Sequence, residues 1–360
     1  MSPLREVAWV FFKLGATAFG GPAAHIALMQ DEIVRRRAWV TAQEFTDLLG
    51  ATNLIPGPNS TELAIHLGHK RAGWPGLLVA GACFILPAAI ITLAFALAYV
   101  QWGTVPAATG VLAGLKPAIL ALIIAVIYRL GRSTLRTPFT IAAAVGAAGC
   151  ALAGTSELLL LFGAGALGII RSFERPKPTA ALSIDPVTLT GLTWVFAKIG
   201  SILYGSGYVL IAFLRRELVL ARHWLTESQL LDAVAIGQVT PGPVFTTATF
   251  IGFVLGGWPG AVLATAAIFV PSFIFVAASA PLIPRLRSSR SMSGFLDGVN
   301  AAALGLMASA CIFLAHDALL TWPQRAIGAA AGAVLVLTKV NPTWVLAAAA
   351  AVGAAMQLAK

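Results

Sequence analysis

The sequence predicts an all-α membrane protein that crosses the bilayer several times and consists of two homologous halves. Hydrophobic residues make up 58% of the 360-residue chain and charged residues only 11%, against roughly 25% charged residues in an average soluble domain. The mean hydropathy is +0.87, and the apolar residues form stretches that approach the roughly 20 residues a spanning helix needs. This composition excludes a soluble enzyme, a disulfide-rich secreted scaffold and a disordered chain.

An internal repeat divides the chain. The segment WVFFKLGATAFGGP at 9–22 returns as WVFAKIGSILYGSG at 194–207, and IPGPNST at 55–61 returns as TPGPVFT at 240–246. Matched charges and a shared Gly-Trp-Pro-Gly continue the alignment at a nearly constant spacing. Because these matches are too specific for chance, they predict two halves, residues 1–178 and 179–360.

Each half contains five apolar stretches and one segment of mixed character. We interpret the mixed segments, 41–68 and 226–254, as re-entrant or broken helices, because each has a polar first part and a Pro-Gly-Pro in its middle. The predicted spans are 7–34, 76–99, 107–128, 138–153 and 156–170 in the first half, and 187–213, 260–283, 294–315, 325–338 and 343–358 in the second.

Loop charges indicate that the two halves insert in opposite orientations. The HKR segment at 69–71 is basic and its equivalent at 255–257 is neutral, whereas RLRSSR at 285–290 is basic and its first-half equivalent is neutral. The positive-inside rule then places equivalent loops on opposite faces, which predicts an inverted-topology repeat. The basic segments at 35–37 and 215–216 do not fit this scheme.

The net charge of +10 reflects basic residues in the loops of a membrane protein. In a soluble chain such an excess of Lys and Arg would suggest a nucleic-acid partner. Here most basic residues lie in short loops between apolar stretches, which is the usual topology signal of a membrane protein. We therefore expect lipid headgroups, and no nucleic acid, as partners of these residues.

Two kinds of helix break recur in each half. Phe19-Gly20-Gly21-Pro22 interrupts the first apolar stretch, and Tyr204-Gly205-Ser206-Gly207 interrupts its counterpart. The second kind is Pro56-Gly57-Pro58 with its equivalent Pro241-Gly242-Pro243. Since glycine costs about 1 kcal/mol and proline about 3 kcal/mol in a helix interior, these clusters predict broken helices.

Broken helices in a membrane predict an anion site. Freed backbone groups are tolerated only where protein or a water-filled cavity satisfies them, and helix N-termini bind anions through their unpaired N–H groups. Packing kinks are the alternative explanation. The candidate substrate-binding residues are Lys13, Phe19, Gly20, Gly21, Pro22, His25, Asn53, Pro56, Gly57, Pro58, Asn59, Ser60, Thr61, Lys198, Tyr204, Gly205, Ser206, Gly207, Gln238, Thr240, Pro241, Gly242, Pro243 and Thr246.

Ionisable residues inside apolar stretches are costly and usually functional. Lys13 and Lys198 are equivalent, and either could supply charge to a bound anion or extend its ammonium to the nearer interface. His25 could be a substrate ligand, a proton carrier or a packed neutral histidine. Glu62 could carry a coupling proton, and Lys116 is another cation within an apolar stretch.

Two pairs of acidic residues are equivalent in the repeat. Glu32 matches Glu217, and Asp47 matches Asp232. Their positions near polar ends favour pairing with basic neighbours such as Arg37 and Arg222. The full set of coupling or charge candidates is Glu32, Glu62, Lys116 and Glu217.

No metal or cofactor is expected. The three cysteines share no metal-ligand spacing, and neither a phosphate-binding Gly-x-x-x-x-Gly-Lys-Ser/Thr loop nor a His-Glu-x-x-His motif is present in the sequence.

The two motif blocks resemble a known family. FGGPAAHIALMQDEIV followed by WVTAQEFTDLLGATNLIPGPNSTELAIHLGHKRAGWPG is similar to the first-half signature of the chromate ion transporter family, and GQVTPGPVFTTATFIGF with GGWPG to the second half of its long, duplicated members. The resemblance implies a bacterial inner-membrane protein that exports chromate and gives resistance to it. The second half departs from the pattern, with Tyr-Gly-Ser-Gly and no histidine after it, so the site could rely on the first half.

The function expected from the sequence is secondary transport of chromate, a tetrahedral oxyanion, without a cofactor. The alternatives are a carrier for sulfate or another oxyanion, uptake in place of export, and, least favoured, an intramembrane enzyme. The expected partners are the oxyanion and membrane lipid, and a homodimer is left open.

Overall fold

The computed structural model describes residues 2–19, 21–52, 55–103, 105–155, 157–170, 187–203, 209–279, 290–338, 340 and 342–358. Within these ranges the chain is almost entirely helical. The first half contains α1 (Pro3–Thr17), α2 (Gly21–Met29), a π-helix (Gln30–Arg36), α3 (Ala42–Thr52), α4 (Asn59–Trp102), α5 (Pro106–Thr134), α6 (Pro138–Leu152) and α7 (Glu157–Ile170). The second half contains α8 (Leu189–Ile202), α9 (Leu210–Leu214), a π-helix (Arg215–Ala221), α10 (Glu227–Val239), a 3-10 turn (Val244–Thr246), α11 (Thr247–Ser279), α12 (Arg290–Ala318), α13 (Trp322–Leu337) and α14 (Pro342–Leu358).

Four of these helical segments are long and apolar enough to cross a membrane. They are Asn59–Trp102, Ala108–Arg132, Val244–Ser279 and Asp297–Ala318. Large apolar side chains on their outer faces stay exposed, which suits contact with lipid. Leu78, for example, is 60% exposed. The predicted all-α polytopic fold is confirmed.

The sequence repeat is visible in the backbone itself. The two π-helices occupy equivalent positions, and each is followed by a residue with positive φ, Ala38 at 50° and His223 at 54°. The long helices α4 and α11 are both kinked where a glycine has positive φ, at Gly73 (62°) and Gly257 (59°). Equivalent residues therefore adopt equivalent, unusual conformations in the two halves.

The chain forms two compact units, and each of them draws on both halves of the repeat. Unit 1 consists of Met1–Ala96, Val187–Gly207 and Thr240–Ser289. Unit 2 consists of Leu97–Pro186, Tyr208–Val239 and Arg290–Lys360. The long helix α4 contributes to unit 1 up to Ala96 and to unit 2 from Leu97. The predicted halves thus describe the repeat and not the compact units.

Unit 1 has a core in which α1, the first π-helix and α3 pack on α4. Its large buried side chains include Phe11, Phe45 and Phe84. Helices approach closely where glycines face backbone: Gly15 lies against the carbonyl of Phe84, and its equivalent Gly200 lies against the carbonyl of Ile268. The first-half and second-half helix pairs are therefore packed in the same way.

In unit 2, helices of each half pack against helices of the other half. Helix α5 of the first half packs against α13 and α14 of the second half, and α12 of the second half packs against α6 and α7 of the first. Each half therefore completes the packing of the other.

Candidate functional site

The first helix break lies between α1 and α2. Helix α1 ends at Thr17, and Ala18 has an extended backbone (φ −83°, ψ 98°). Helix α2 begins at Gly21, whose φ of 77° favours glycine, with Pro22 as its second residue. Phe19 is 37% exposed. The helix is therefore interrupted at the Gly-Gly-Pro cluster, as the sequence predicts.

The Pro-Gly-Pro motifs also separate helices, as expected. In the first half α3 ends at Thr52 and α4 begins at Asn59, with Gly57 between them at φ 139°. In the second half the corresponding glycine is Gly242, at φ 82°, and a short 3-10 turn precedes α11. Pro58, Pro241 and Pro243 are buried, and Pro56 is half-buried.

Backbone hydrogen bonds join the breaks of one half to those of the other. The N–H of Gly242 donates to the carbonyl of Ala18 at 2.9 Å, and the N–H of Gly57 donates to the carbonyl of Leu203 at 2.7 Å. Ala18 and Leu203 are equivalent in the repeat, as are Gly57 and Gly242. Each Pro-Gly-Pro therefore satisfies a carbonyl freed at the opposite half's first break, inside unit 1.

His25 is anchored at this junction. Its Nε2 lies 3.0 Å from the carbonyl oxygen of Ala18 and its Nδ1 lies 3.3 Å from the hydroxyl of Ser60. Because a carbonyl can only accept, Nε2 carries the proton and Nδ1 accepts from Ser60 in the neutral imidazole. The ring packs edge-on against Phe84, with 5.6 Å between centroids. Its second-half equivalent, Leu210, is also buried.

The first turn of α4 is polar and buried. Ser60, Thr61 and Glu62 are 2%, 0% and 0% exposed, and Asn59 is half-buried. Neither carboxylate oxygen of Glu62 has a hydrogen-bond partner among the described residues. This turn places hydroxyl groups and an acidic side chain directly after the break.

The corresponding turn of the second half has hydroxyl groups and no acid. The Thr246 hydroxyl donates to the carbonyl of Pro243 at 2.8 Å. The Thr92 hydroxyl, on α4, lies 3.2 Å from that of Thr246 and 3.4 Å from that of Thr240. Gln238, at the end of α10, is a buried residue of unit 2.

The two equivalent lysines differ in environment. The side chain of Lys13 is exposed, whereas Lys198 is half-buried. Lys198 lines a cavity of about 430 Å³ together with Trp194, Ala197, Ser201 and Ile202. Of the two, Lys198 is the better placed for a role inside the protein.

Glu32 and Glu217 bind the basic neighbours that the sequence suggested. Glu32 accepts from Arg37 at 2.9 Å and Glu217 accepts from Arg222 at 2.5 Å. Glu6 joins the first pair, because Arg37 also donates to it at 2.8 Å. The Arg71 guanidinium, which donates to Glu6 at 2.7 Å, lowers the pKa of that carboxyl, although burial acts in the opposite direction.

Asp232 pairs with a basic residue, as the sequence favours, although this residue is Lys116 and not Arg222. Its carboxylate lies 3.1 Å from the ammonium of Lys116 and accepts from the hydroxyl of Tyr99 at 3.0 Å. Lys116 also donates to Ser228 at 2.7 Å. These groups line a cavity of about 530 Å³ in unit 2. The sequence missed the pair because its members are brought together only by packing between the halves.

Several candidates lie outside the described residues. They are Gly20, Asn53, Tyr204, Gly205, Ser206 and Gly207. Most of the basic loop at 285–290 also lies outside them. No group of three or more His, Cys, Asp or Glu side chains suited to a metal ion occurs among the residues that the structure describes.

Comparison with known proteins gives a consistent result. The chain matches the chromate transporter family over residues 5–169 and again over 190–354. A chromate transport protein of Cupriavidus metallidurans is 31% identical over 97% of this chain and 92% of its own length. A probable chromate transport protein of Synechococcus elongatus is 31% identical over 90% and 88%. A chromate transport protein of Pseudomonas aeruginosa is 31% identical over 88% and 82%. No solved structure matches the chain.

Proposed function

Because this chain belongs to the chromate transporter family, we propose that it exports chromate across the inner membrane of a bacterium and so gives resistance to that anion. The family consists of transport proteins, and the chain is accordingly a multi-pass membrane carrier and not an enzyme. In this proposal the protein is surrounded by membrane lipid, and it functions either as a monomer or as a homodimer.

The crosswise pairing of the helix breaks is the observation that carries the proposal. A tetrahedral dianion in a dry pocket needs several N–H and hydroxyl donors, together with partial or full positive charge. The starts of α2 and α4 supply N–H groups, and Thr61 supplies a buried hydroxyl that has no hydrogen-bond partner among the described residues. The hydroxyls of Ser60 and Thr246 lie close to the breaks and donate to His25 and to the carbonyl of Pro243, so each of them would exchange that hydrogen bond for one to the anion. These donors belong to a single unit, in which backbone hydrogen bonds link the breaks of both halves.

The remaining site residues take supporting roles in the proposal. Lys198 contributes positive charge from its cavity, and the described break residues of both halves, from Phe19 to His25 and from Thr240 to Thr246, line the path of the anion. We propose that the candidates outside the described residues, Gly20, Asn53, Tyr204, Gly205, Ser206 and Gly207, also bind the anion.

The membrane potential can drive export. A negative-inside potential favours the exit of an anion by roughly 2.3 kcal/mol per charge per 100 mV. The absence from the sequence of a phosphate-binding loop for ATP agrees with a carrier driven by the membrane potential. Alternating exposure of the site to the two faces then suffices for transport.

Inside-out membrane vesicles test this proposal. Vesicles that contain the protein should accumulate radiolabelled chromate when the potential is imposed, and vesicles without it should not. Lys198→Gln should lower the rate strongly, while Lys13→Gln, at the exposed equivalent position, should leave it close to wild type. Sulfate, molybdate and phosphate are added as competitors. Transport of sulfate in preference to chromate, or accumulation only in right-side-out vesicles, would contradict the proposed substrate or direction.

A further inference from the structure

The carboxyl group of Glu62, in unit 1, is buried without a partner among the described residues. Three titratable side chains of this unit are fully buried among the described residues, namely His25, Glu62 and His66. Glu62 is 0% exposed, and both of its carboxylate oxygens have no hydrogen-bond partner among those residues. No described cation pairs with it.

Glu62 faces the first Pro-Gly-Pro break. A Cβ atom added to Gly57 would collide with Oε1 of Glu62 and would lie 2.6 Å from the hydroxyl oxygen of Ser272. Ser272, on α11, is 0% exposed, and its hydroxyl also has no partner among the described residues. Gly57 therefore leaves room for unpaired oxygen atoms contributed by two helices.

An ionised carboxylate in this position is unfavourable. Removing an unpaired charge from water costs far more than burying a neutral group, and the cost is greatest at membrane depth. Glu62 therefore holds a proton in the buried arrangement. Its equivalent in the second half is Thr247, which cannot take up a charge, so only the first half has this property.

We propose that Glu62 carries a proton that crosses the membrane together with each oxyanion. This inference rests on the proposed function. Glu62 lies in the same helical turn as the donors proposed for the anion, and an ionised carboxylate there would repel a dianion. The anion and the proton therefore favour each other's binding, and this coupling is reciprocal. The proton enters Glu62 from water on the inner side and leaves to water on the outer side.

The membrane potential still favours export with this stoichiometry. One dianion and one proton together move a single net negative charge outward, and the negative-inside potential still drives that movement. The expected transport current per anion is half of that of an uncoupled dianion carrier.

The two buried histidines are the other groups that could carry the proton. His25 is bonded through both ring nitrogens, to Ala18 and to Ser60, which fixes it as a neutral donor and acceptor. His66 lies one helical turn after Glu62, and its Nε2 has no partner among the described residues. His66 is therefore the group that the experiment has to separate from Glu62.

Proteoliposomes with a trapped pH-sensitive dye test the assignment. Chromate and proton movements are recorded together at alkaline pH, where chromate in solution is the dianion. Wild type should move one proton with each chromate. Glu62→Gln, a neutral mimic of the protonated acid, should move chromate without a proton. The charge moved per chromate should then be twice that of wild type. Glu44→Gln, the same change at an exposed carboxyl of unit 1, and His66→Gln should both keep the wild-type ratio.

The outcomes separate this inference from the proposed function. If wild type moves no chromate, the proposed function fails. If wild type moves chromate without protons, or needs sodium in their place, only the proton assignment fails. Retained proton movement in Glu62→Gln, or its loss in His66→Gln alone, would also overturn the assignment. If Glu62→Gln is inserted and folded but has lost chromate–chromate exchange, which needs no net proton transfer, Glu62 is not a simple proton carrier.

Discussion

At the scale of single residues, Lys116 and Asp232 form a buried ion pair in which each charge compensates the other. The ammonium and carboxylate groups are 3.1 Å apart, with side chains 14% and 6% exposed. Removing one member of a buried pair leaves the other charge uncompensated, which typically costs about 3–5 kcal/mol. Replacing both members removes that penalty.

Lys116→Met should therefore lower the stability of the purified protein by about 3 kcal/mol or more, measured by thermal unfolding in detergent. The double variant Lys116→Met with Asp232→Asn should recover most of that loss. Lys70→Met is the control, because Lys70 and Glu44 form an exposed pair at 3.5 Å of a kind worth about 0–1 kcal/mol. Equal effects of Lys116→Met and Lys70→Met would show that the buried pair has no special importance.

At the scale of helices, glycine determines how closely neighbours approach. Added Cβ atoms at Gly15 and Gly200 would collide with the backbone carbonyls of Phe84 and Ile268. Backbone cannot move aside as a flexible side chain can, so the helices themselves have to separate. At Gly50, in α3, nothing lies within 4 Å of an added Cβ.

Gly15→Ala and Gly200→Ala should each destabilise the protein by about 1–3 kcal/mol through overpacking. Gly50→Ala should be neutral, or stabilising by up to about 1 kcal/mol, because alanine is the better helix former. Thermal unfolding of the three variants under one condition provides the comparison. A similar loss of stability in all three variants would contradict this explanation, because an added Cβ at Gly50 has no neighbour within 4 Å to overpack against.

The sequence predicted the helices and their breaks well for physical reasons. Apolar length and the conformational demands of glycine and proline are local properties, so α5 and the breaks at Gly21 and Gly57 follow from the residues themselves. The contact of Lys116 with Asp232, the pairing of Gly57 with Leu203 and the isolation of Glu62 depend on which helices pack together. That information is not contained in the spacing of residues along one segment.

At the scale of the whole molecule, the orientation of the two halves decides the architecture. The segment at 69–71, just before the kink of α4, should be cytoplasmic and the kink of α11 at 256–257 external if the repeat is inverted. Single cysteines at these two places, in a background in which Cys83, Cys150 and Cys311 are replaced, should react with a membrane-impermeant reagent from opposite sides. Labelling of both segments from the same side would exclude the inverted repeat.

Chromate binding to purified variants tests most directly whether the oxyanion binds where the breaks of the two halves meet, as we propose. Gly242 and Gly257 both have positive φ, at 82° and 59°, so alanine strains the backbone at each. Only at Gly242 does the new Cβ meet neighbours, 2.5 Å from Cβ of Ala88 and 2.9 Å from the carbonyl oxygen of Gly15.

Equilibrium dialysis of the folded, detergent-purified proteins should show that Gly242→Ala weakens chromate binding by about tenfold or more, equivalent to ~1.4 kcal/mol. The double variant Pro56→Ala with Gly57→Ala should have a comparable effect, and Gly257→Ala should bind as wild type does. Wild-type affinity in both Gly242→Ala and the Pro56→Ala, Gly57→Ala double variant would contradict this binding site, because the breaks would then be packing kinks and the anion would bind elsewhere.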